Sequence, residues 1–395
     1  MVLAVAAGSM RAEAYRFGRV WDGDQVLINA VITVENGKIT SVGTATGNAV
    51  DMSRYTAIPG MIDVHTHLTY VLPSKAAKLT QAGRAAATVY LSADAARKTL
   101  ETGCTTVRNL GAQEYQDIAM RDLINTGMMV GPRMFVSGYG LFISRGGTPG
   151  PGTADGEAEV MRVVRKQVGA GADVIKMYGS SGSGQDVTGF QTFTYEEMKA
   201  AVDSAHALGK KIAIHTYGPT GARDAVRAGA DSVEHATDMD DQTIGEMARK
   251  RIFYVPTIDH NRYYVDNAQL LAYPPGATGP LNDFIARNLE TAKKAFKAGV
   301  RFAMGSDAVY TMFGENTREL AWYVKAGMTP EQALKTATVG GAELLGQEDK
   351  LGRLKPGYLA DIVAVEGDPL KDIDVAIQKV RWVMKGGVVV IDKTK

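Results

Sequence analysis

The chain has a single cysteine in 395 residues, which excludes an internal disulfide and leaves stability to a packed core. That residue, Cys104, sits in the strand-like run Cys104-Thr-Thr-Val-Arg108 and reads as a small buried hydrophobe. There is no surplus of charge either: the net charge is +1, which removes any electrostatic case for nucleic acid or an anionic membrane surface as partner. No stretch approaches the roughly 20 uninterrupted apolar residues of a membrane span. The first ten residues, Met1-Val-Leu-Ala-Val-Ala-Ala-Gly-Ser-Met10, are apolar but lack the basic start of a signal peptide and are short for one. They read as a trimmed leader or a non-native remnant, and the mature protein is expected to be soluble. What is present, 45% apolar and 22% charged residues, fits a globular enzyme long enough to bury a large core.

The two ends of the chain share one style. Ala14–Trp21, Gln25–Val34 and Lys38–Val42 read as strands, with Asn36-Gly37 as a hairpin turn. Ala360–Val365, Val380–Met384 and Val388–Ile391, with Gly386-Gly387 between the last two, repeat it. Residues 11–57 and 355–395 are therefore expected to make one small β-sandwich domain. Between them short apolar strands alternate with helices: Ile58–Leu68, Thr105–Leu110, Arg133–Tyr139, Asp173–Tyr178, Lys211–Thr216, Asp231–His235, Ile252–Ile258 and Val300–Ser306. Two helix starts are explicit, the capping box Thr194-Tyr-Glu-Glu197 and the N-cap threonine with proline in Thr329-Pro-Glu-Gln332. Eight strand–helix units predict an α/β fold with a (β/α)8 TIM barrel over residues 58–354, whose functional groups would lie at the C-terminal ends of the strands.

Within the first of these strands, His65 and His67 stand at i and i+2 and so project to one face, which is a metal-ligand arrangement. An isolated His-x-His is often surface decoration. Here, further ligand-type residues stand at later strand ends: Lys176 in Asp173-Val-Ile-Lys-Met-Tyr178, His215 in Ile212-Ala-Ile-His215, His235 in Ser232-Val-Glu-His235, and Asp307 in Phe302-Ala-Met-Gly-Ser-Asp307. A lysine ammonium has no lone pair to offer a metal. A neutral Lys176 that reacts with CO₂ would become a carbamate, an anion able to bridge two cations. The charge sum favours this, since two divalent ions among four neutral imidazoles and one aspartate need an added anion. If Lys176 instead stays charged, it binds phosphate or carboxylate and the site holds one metal.

His65-x-His67, Lys176, His215, His235 and Asp307 on a barrel capped by a β domain from both termini resemble the amidohydrolase superfamily, in its binuclear, carbamylated-lysine type. Pro59-Gly-Met-Ile-Asp-Val-His-Thr-His67 and the tail Leu351-Gly-Arg-Leu-Lys-Pro-Gly-Tyr-Leu-Ala-Asp-Ile-Val363 are similar to its imidazolonepropionase-related branch. Within that branch the likeness is to Xaa-Pro dipeptidase-like and ochratoxin A-hydrolysing amidohydrolases, which cut an amide next to a free carboxylate. The resemblance implies a zinc-dependent hydrolase of N-acyl amino acids or dipeptides, with His65, His67 and Asp307 on one Zn²⁺, His215 and His235 on the other, and carbamylated Lys176 between them. Two ions about 3.5–4 Å apart would hold a hydroxide and polarise the scissile carbonyl, and Asp307 would relay the proton to the leaving amine. It also implies a homo-oligomer that acts on a small-molecule amide and is exported or periplasmic.

Other strand-end residues complete the expected site. Tyr178 shares the face of Lys176 and could donate to the carbonyl or to a substrate carboxylate, and His260 after the seventh strand lines the pocket. Tyr217 stands where relatives often carry a second histidine, and the Gly/Pro-rich loop Phe142–Gly152 lacks the histidine that many relatives place there. Arg145 in that loop could replace it by pairing with a carboxylate. His206, inside the helix capped by Thr194, reads as structural. The Gly-rich segment Gly179–Gly184 lacks the lysine-serine order of a phosphate loop. Two competing functions remain, a mononuclear or binuclear cyclic-amidohydrolase or deaminase, and a non-catalytic barrel. Lys176 and the absence of an acidic residue just after His215 weigh against the first; any divalent-metal binding would weigh against the second.

Overall fold

The computed structural model describes residues 12–44, 48–70, 85–144, 150–184, 186–274 and 276–394. The chain begins with an antiparallel meander of β1 (Glu13–Trp21), β2 (Val26–Glu35) and β3 (Lys38–Gly43). Its second turn is Asn36-Gly37, with φ of +50° and +76°, the left-handed pair that a two-residue hairpin requires. β4 (Val50–Pro59) then runs parallel to β1. The sequence reading began a single strand at Ile58; the structure instead ends β4 at Pro59 and starts β5 (Met61–Thr66) after Gly60. One continuous apolar run thus serves two sheets in succession.

The parallel strands follow as β6 (Cys104–Asn109), β7 (Arg133–Val136), β8 (Val174–Tyr178), β9 (Lys211–Thr216), β10 (Ser232–His235), β11 (Phe253–Val255) and β12 (Arg301–Phe302). Helices 85–101, 116–125, 157–169, 195–207, 219–228 and 241–249 fill the successive gaps up to β11, and 258–266 and 278–297 precede β12. Strands β5, β6 and β10 are buried along their whole length, as expected of parallel strands covered on both faces. Both predicted caps form: the Thr194 hydroxyl accepts from the Glu197 N–H at 3.2 Å and the Glu197 carboxylate from the Thr194 N–H at 2.8 Å. Thr329 and Gln332 do the same, with Pro330 at the first helical position. Among the described residues no helix is long and apolar enough to cross a membrane.

These eight strands register as two parallel sheets, β5-β6-β7 and β12-β11-β10-β9-β8. Backbone hydrogen bonds join the sheets at both margins. At one, the Asp307 N–H donates to the His65 carbonyl at 2.7 Å and the His67 N–H to that of Ala308 at 3.0 Å. At the other, the Leu141 N–H donates to the Lys176 carbonyl at 2.9 Å and the Tyr178 N–H to that of Leu141 at 3.0 Å. The margins are irregular where Asp307 and Gly138 leave extended backbone, at φ of +52° and +63°, outside the broad β region. β7 and β12 are accordingly shorter than the apolar runs that contain them.

β13 (Ile362–Val365), β14 (Val380–Lys385) and β15 (Val388–Asp392) return to the first sheet, giving the order β15-β14-β13-β4-β1-β2-β3. Both chain ends do meet, but in one seven-stranded sheet, and the expected sandwich of two facing sheets is not shown among the described residues. Trp382 packs on Tyr15 and Phe17, with ring centroids 5.3 and 6.5 Å apart. Asp361, just before β13, clasps this sheet to the parallel strands: it accepts from Thr105 on β6 at 2.8 Å, from Arg133 on β7 at 2.7 Å, and from the Gly386 N–H at 2.7 Å. Removing a charged acceptor that serves several donors costs about 2–3 kcal/mol. Asp361→Ala should lower the unfolding free energy extrapolated from denaturant titration by that amount, and Asp361→Asn by less; an unchanged value for the alanine variant would show the clasp to be idle.

Candidate metal centre

The C-terminal ends of five parallel strands bring together every ligand-type residue singled out from the sequence. His65 closes β5 with His67 just beyond it, Lys176 lies in β8, His215 in β9 and His235 ends β10, while Asp307 follows β12. All six are buried, none more than 6% exposed. Asp307 sits at the hub: one carboxylate oxygen is 3.0 Å from His67 Nε2 and 3.5 Å from His65 Nε2, and the other is 3.3 Å from His260 Nε2. The rings of His65 and His235 are 5.0 Å apart and those of His215 and His235 4.5 Å. One ligand atom from each of His65, His235 and Asp307 falls within 4.8 Å of the other two.

The donor set fits divalent cations. His65 Nε2, His67 Nδ1, His215 Nε2 and Lys176 Nζ are buried without a hydrogen-bond partner among the described residues, although buried polar atoms are nearly always paired. Burial lowers His65 to about 4 and His215 and His235 well below the ordinary histidine range, so the imidazoles are neutral and keep their lone pairs. Burial also brings Lys176 down to about 8, against the opposing pull of Glu234 and Asp307, which puts the unprotonated amine within reach near neutral pH. Burial alone would raise Asp307, yet His260, His65 and His67 hold it well below the usual carboxylate range. The hub is an anion.

Several residues that the sequence reading passed over set the ligand orientations. His65 Nδ1 lies 2.7 Å from Glu234 Oε2, which turns Nε2 toward the centre. The other Glu234 oxygen accepts from Arg108 at 2.9 Å and from the Ser232 hydroxyl. Burial opposes ionisation of Glu234, but Arg108 and His65 hold it down at about 2. His235 Nδ1 is fixed by the Thr257 hydroxyl at 2.6 Å. Asp63 accepts from the Ser306 hydroxyl at 2.6 Å and from Asn316 at 2.9 Å, tying β5 to the residue before Asp307. Such carboxylates behind metal-binding histidines fix tautomer and ring plane. The available signal was a charged residue inside an apolar strand: Asp63, Arg108 and Glu234 each interrupt one.

The remaining predicted residues divide. His260 enters the cluster: its Nδ1 is 2.7 Å from the Asp307 carbonyl oxygen while Nε2 faces the carboxylate. Tyr217 is buried with its ring 5.0 Å from both His215 and His235, stacked on Phe284 at 4.6 Å. The Tyr178 ring is 5.0 Å from Lys176 Nζ and 5.3 Å from the His215 ring, and Tyr70 stacks on His67 at 4.5 Å. A side chain at Gly140 would put its Cβ 2.4 Å from the Tyr178 ring, so glycine there is what admits the tyrosine. Arg145 lies outside the described residues. His206 is at the surface, 2.8 Å from Asp231.

The chain is similar to ochratoxinase of Aspergillus niger, 33% identical over 326 residues that span 73% of this chain and 67% of that one. The crystal structure of that ochratoxinase matches with a TM-score of 0.82 at 27% identity, over 97% of this chain and 96% of the other. Imidazolonepropionase of Streptomyces coelicolor is 26% identical over 385 residues, 86% of this chain and 85% of that one. A crystal structure of a Xaa-Pro dipeptidase with methionine bound in its active site matches with a TM-score of 0.87 at 30% identity, over 96% of this chain and 99% of the other. The model of the amidohydrolase family matches residues 56–390, taking in every strand that contributes to the centre, and the chain belongs to that family.

Proposed function

We propose that this protein is a binuclear metal-dependent amide hydrolase that releases an amino acid from N-acyl amino acids or dipeptides, with ochratoxin A, cut to phenylalanine and the free acid, among the substrates to test. The observation that carries the reading is a set of buried nitrogens on His65, His67, His215 and Lys176 with no hydrogen-bond partner among the described residues, at a site where His65, His67 and His260 surround the Asp307 carboxylate. The ochratoxinase and Xaa-Pro dipeptidase likenesses supply the substrate class. The hydrogen-bonded margins of the two parallel sheets support a single closed (β/α)8 barrel over residues 58–354, with residues 11–57 and 355–395 as its companion β unit.

His65, His67 and Asp307 would hold one divalent ion, most simply Zn²⁺, and His215 and His235 a second. When bound, such ions supply Lewis-acid polarisation of the scissile carbonyl and a lowered pKa for the attacking water. A neutral Lys176 amine would add to CO₂, forming the N–C bond as one C=O π bond opens to C–O⁻ and releasing a proton to solvent, and the carbamate would supply the anionic ligand that the set otherwise lacks. Asp307 takes the proton of the attacking water and hands it to the leaving nitrogen, with His260 holding the carboxylate in place. The Tyr178 hydroxyl donates to the substrate carbonyl or carboxylate, while Tyr217 contacts the substrate.

One observation favours a second reading. His65, His235 and Asp307 alone form a compact ligand triad, which suits a single ion and the cyclic-amide or deaminase chemistry of mononuclear relatives. Elemental analysis separates the two. About two divalent ions per wild-type chain, with metal and amino-acid release both lost in Lys176→Ala, is the expected outcome. One ion per chain, retained together with activity in Lys176→Ala, would overturn the bridged centre.

Glu234→Gln tests the support behind His65. It removes the charge that Arg108 and His65 share but keeps an acceptor, and should cost about 10–100-fold in metal affinity or activity, a smaller loss than Lys176→Ala. Titration of the metal-free protein with Zn²⁺ reads the affinity directly. Wild-type affinity and rate in this variant would mean that the ring of His65 is held by packing alone.

A further inference from the structure

A chamber of about 330 Å³ adjoins the metal centre without belonging to it. Its lining includes Gly111 and Glu114 from the segment after β6, Tyr139 and Phe142 from the segment after β7, and Tyr70 and Tyr178. The inner end reaches the ligands. A Cβ built on Gly111 would lie 3.1 Å from the Tyr178 hydroxyl, 3.6 Å from the Tyr70 hydroxyl and 4.0 Å from a ring carbon of His67. The space in front of Gly111 is therefore bounded by two phenols and by a metal-ligand ring. The two hydroxyls hydrogen-bond each other.

The walls are flat. Phe142 lies parallel to Tyr178, 4.2 Å between centroids with the planes 13° apart, and still exposes 38% of its surface. Glu114 is the one charged group among the described lining residues. Its backbone is fixed in the left-handed region, φ +50°, by an N–H donated to the Tyr139 hydroxyl at 2.7 Å. The chamber thus offers aromatic faces, hydroxyls at its inner end and a single negative charge, with no cation among the described lining residues.

Those properties decide which half of a substrate enters. The amino-acid half of an N-acyl amino acid carries a carboxylate, and a chamber whose described lining residues carry only the negative charge of Glu114 repels it. The acyl half carries no obligatory charge, and an aromatic one can stack on the exposed ring of Phe142. We propose that this chamber is the acyl-side specificity pocket of the centre, taking a flat aromatic acyl group that is neutral or cationic and rejecting an anionic one through Glu114. The assignment rests on the amide-hydrolase reading above.

The test compares kcat/KM of the metal-loaded enzyme for four N-acyl phenylalanines: acetyl, benzoyl, 4-(aminomethyl)benzoyl and 4-carboxybenzoyl. Wild type should favour benzoyl over acetyl and disfavour 4-carboxybenzoyl relative to benzoyl by about tenfold at low salt, as expected for like charges in a partly solvated cleft. Glu114→Gln should close most of the gap between benzoyl and 4-carboxybenzoyl. Phe142→Leu, which keeps an apolar group but loses the flat ring, should shrink the preference for benzoyl over acetyl. Phenylalanine release that is indifferent to the acyl charge, or a gap that Glu114→Gln leaves untouched, would overturn the pocket assignment while the amide-hydrolase reading stands. Release from none of the four would overturn the functional reading instead. In that case, equilibrium binding of 2-naphthamide and 4-carboxybenzamide decides the pocket: discrimination lost in Glu114→Gln supports it, and equal binding by wild type sinks it.

Discussion

The constraint on which the rest of this structure depends is the burial of groups that must stay ready to bind. Four nitrogen atoms of the candidate centre are withdrawn from water with no hydrogen-bond partner among the described residues, a situation that proteins rarely tolerate unless something else is to satisfy them. An outer layer fixes other side chains of the candidate centre together with His65: Glu234 lies behind His65, Thr257 behind His235, and the Asp63–Ser306 bond beside Asp307. That layer is itself charged and buried, so it is closed on itself. Arg108 neutralises Glu234 and also donates to the Val64 carbonyl of the strand that carries His65. A lone carboxylate at that depth would take up a proton and cease to orient anything.

How much of this the sequence disclosed follows from what a one-dimensional pattern can carry. The period of a strand places His65 and His67 on one face, and the rule that barrel-type folds work at strand ends picked out Lys176, His215, His235 and Asp307. The structure brings all six together. Glu234 and Arg108 lie 126 residues apart, and no spacing rule links them. The sequence reading took the apolar run around Gly60 as one strand because apolarity does not say which sheet a residue pairs with; β4 and β5 share the run and diverge at the glycine. The one-sheet arrangement of the chain ends was hidden for the same reason, since alternation predicts strands but not how they are layered.

The region around the centre is legible to different degrees on its two sides. The candidate ligands lie within strands or, as with His67 and Asp307, just beyond their ends. The neighbouring chamber is made by segments after β6 and β7 whose shape comes from left-handed residues such as Glu114 and Tyr115, at φ +50° and +53°. Nothing in the residue types at those positions announces that geometry, as neither is glycine or asparagine. Left-handed backbone is not confined to those connections: His235 and Asp307 in the candidate centre also take φ of +71° and +52°, so both sides draw on irregular conformations held by their surroundings.

The pairing of β4 with β13 has a consequence for how the molecule is made. Thr56 donates to the carbonyl of Gly367, 311 residues further along, and β4 is flanked on one side by β1 and on the other only by β13. During synthesis the ribosome therefore delivers the whole ligand-bearing region while one margin of β4 is still bare. Until the last tenth of the chain emerges, that margin is an exposed template for pairing with another nascent chain. Completion of the terminal sheet is the step that removes the hazard, and long-range pairing of this kind is intrinsically slow. The same apolar run that threads through Gly60 to present His65 is thus the segment most in need of protection before the protein is finished.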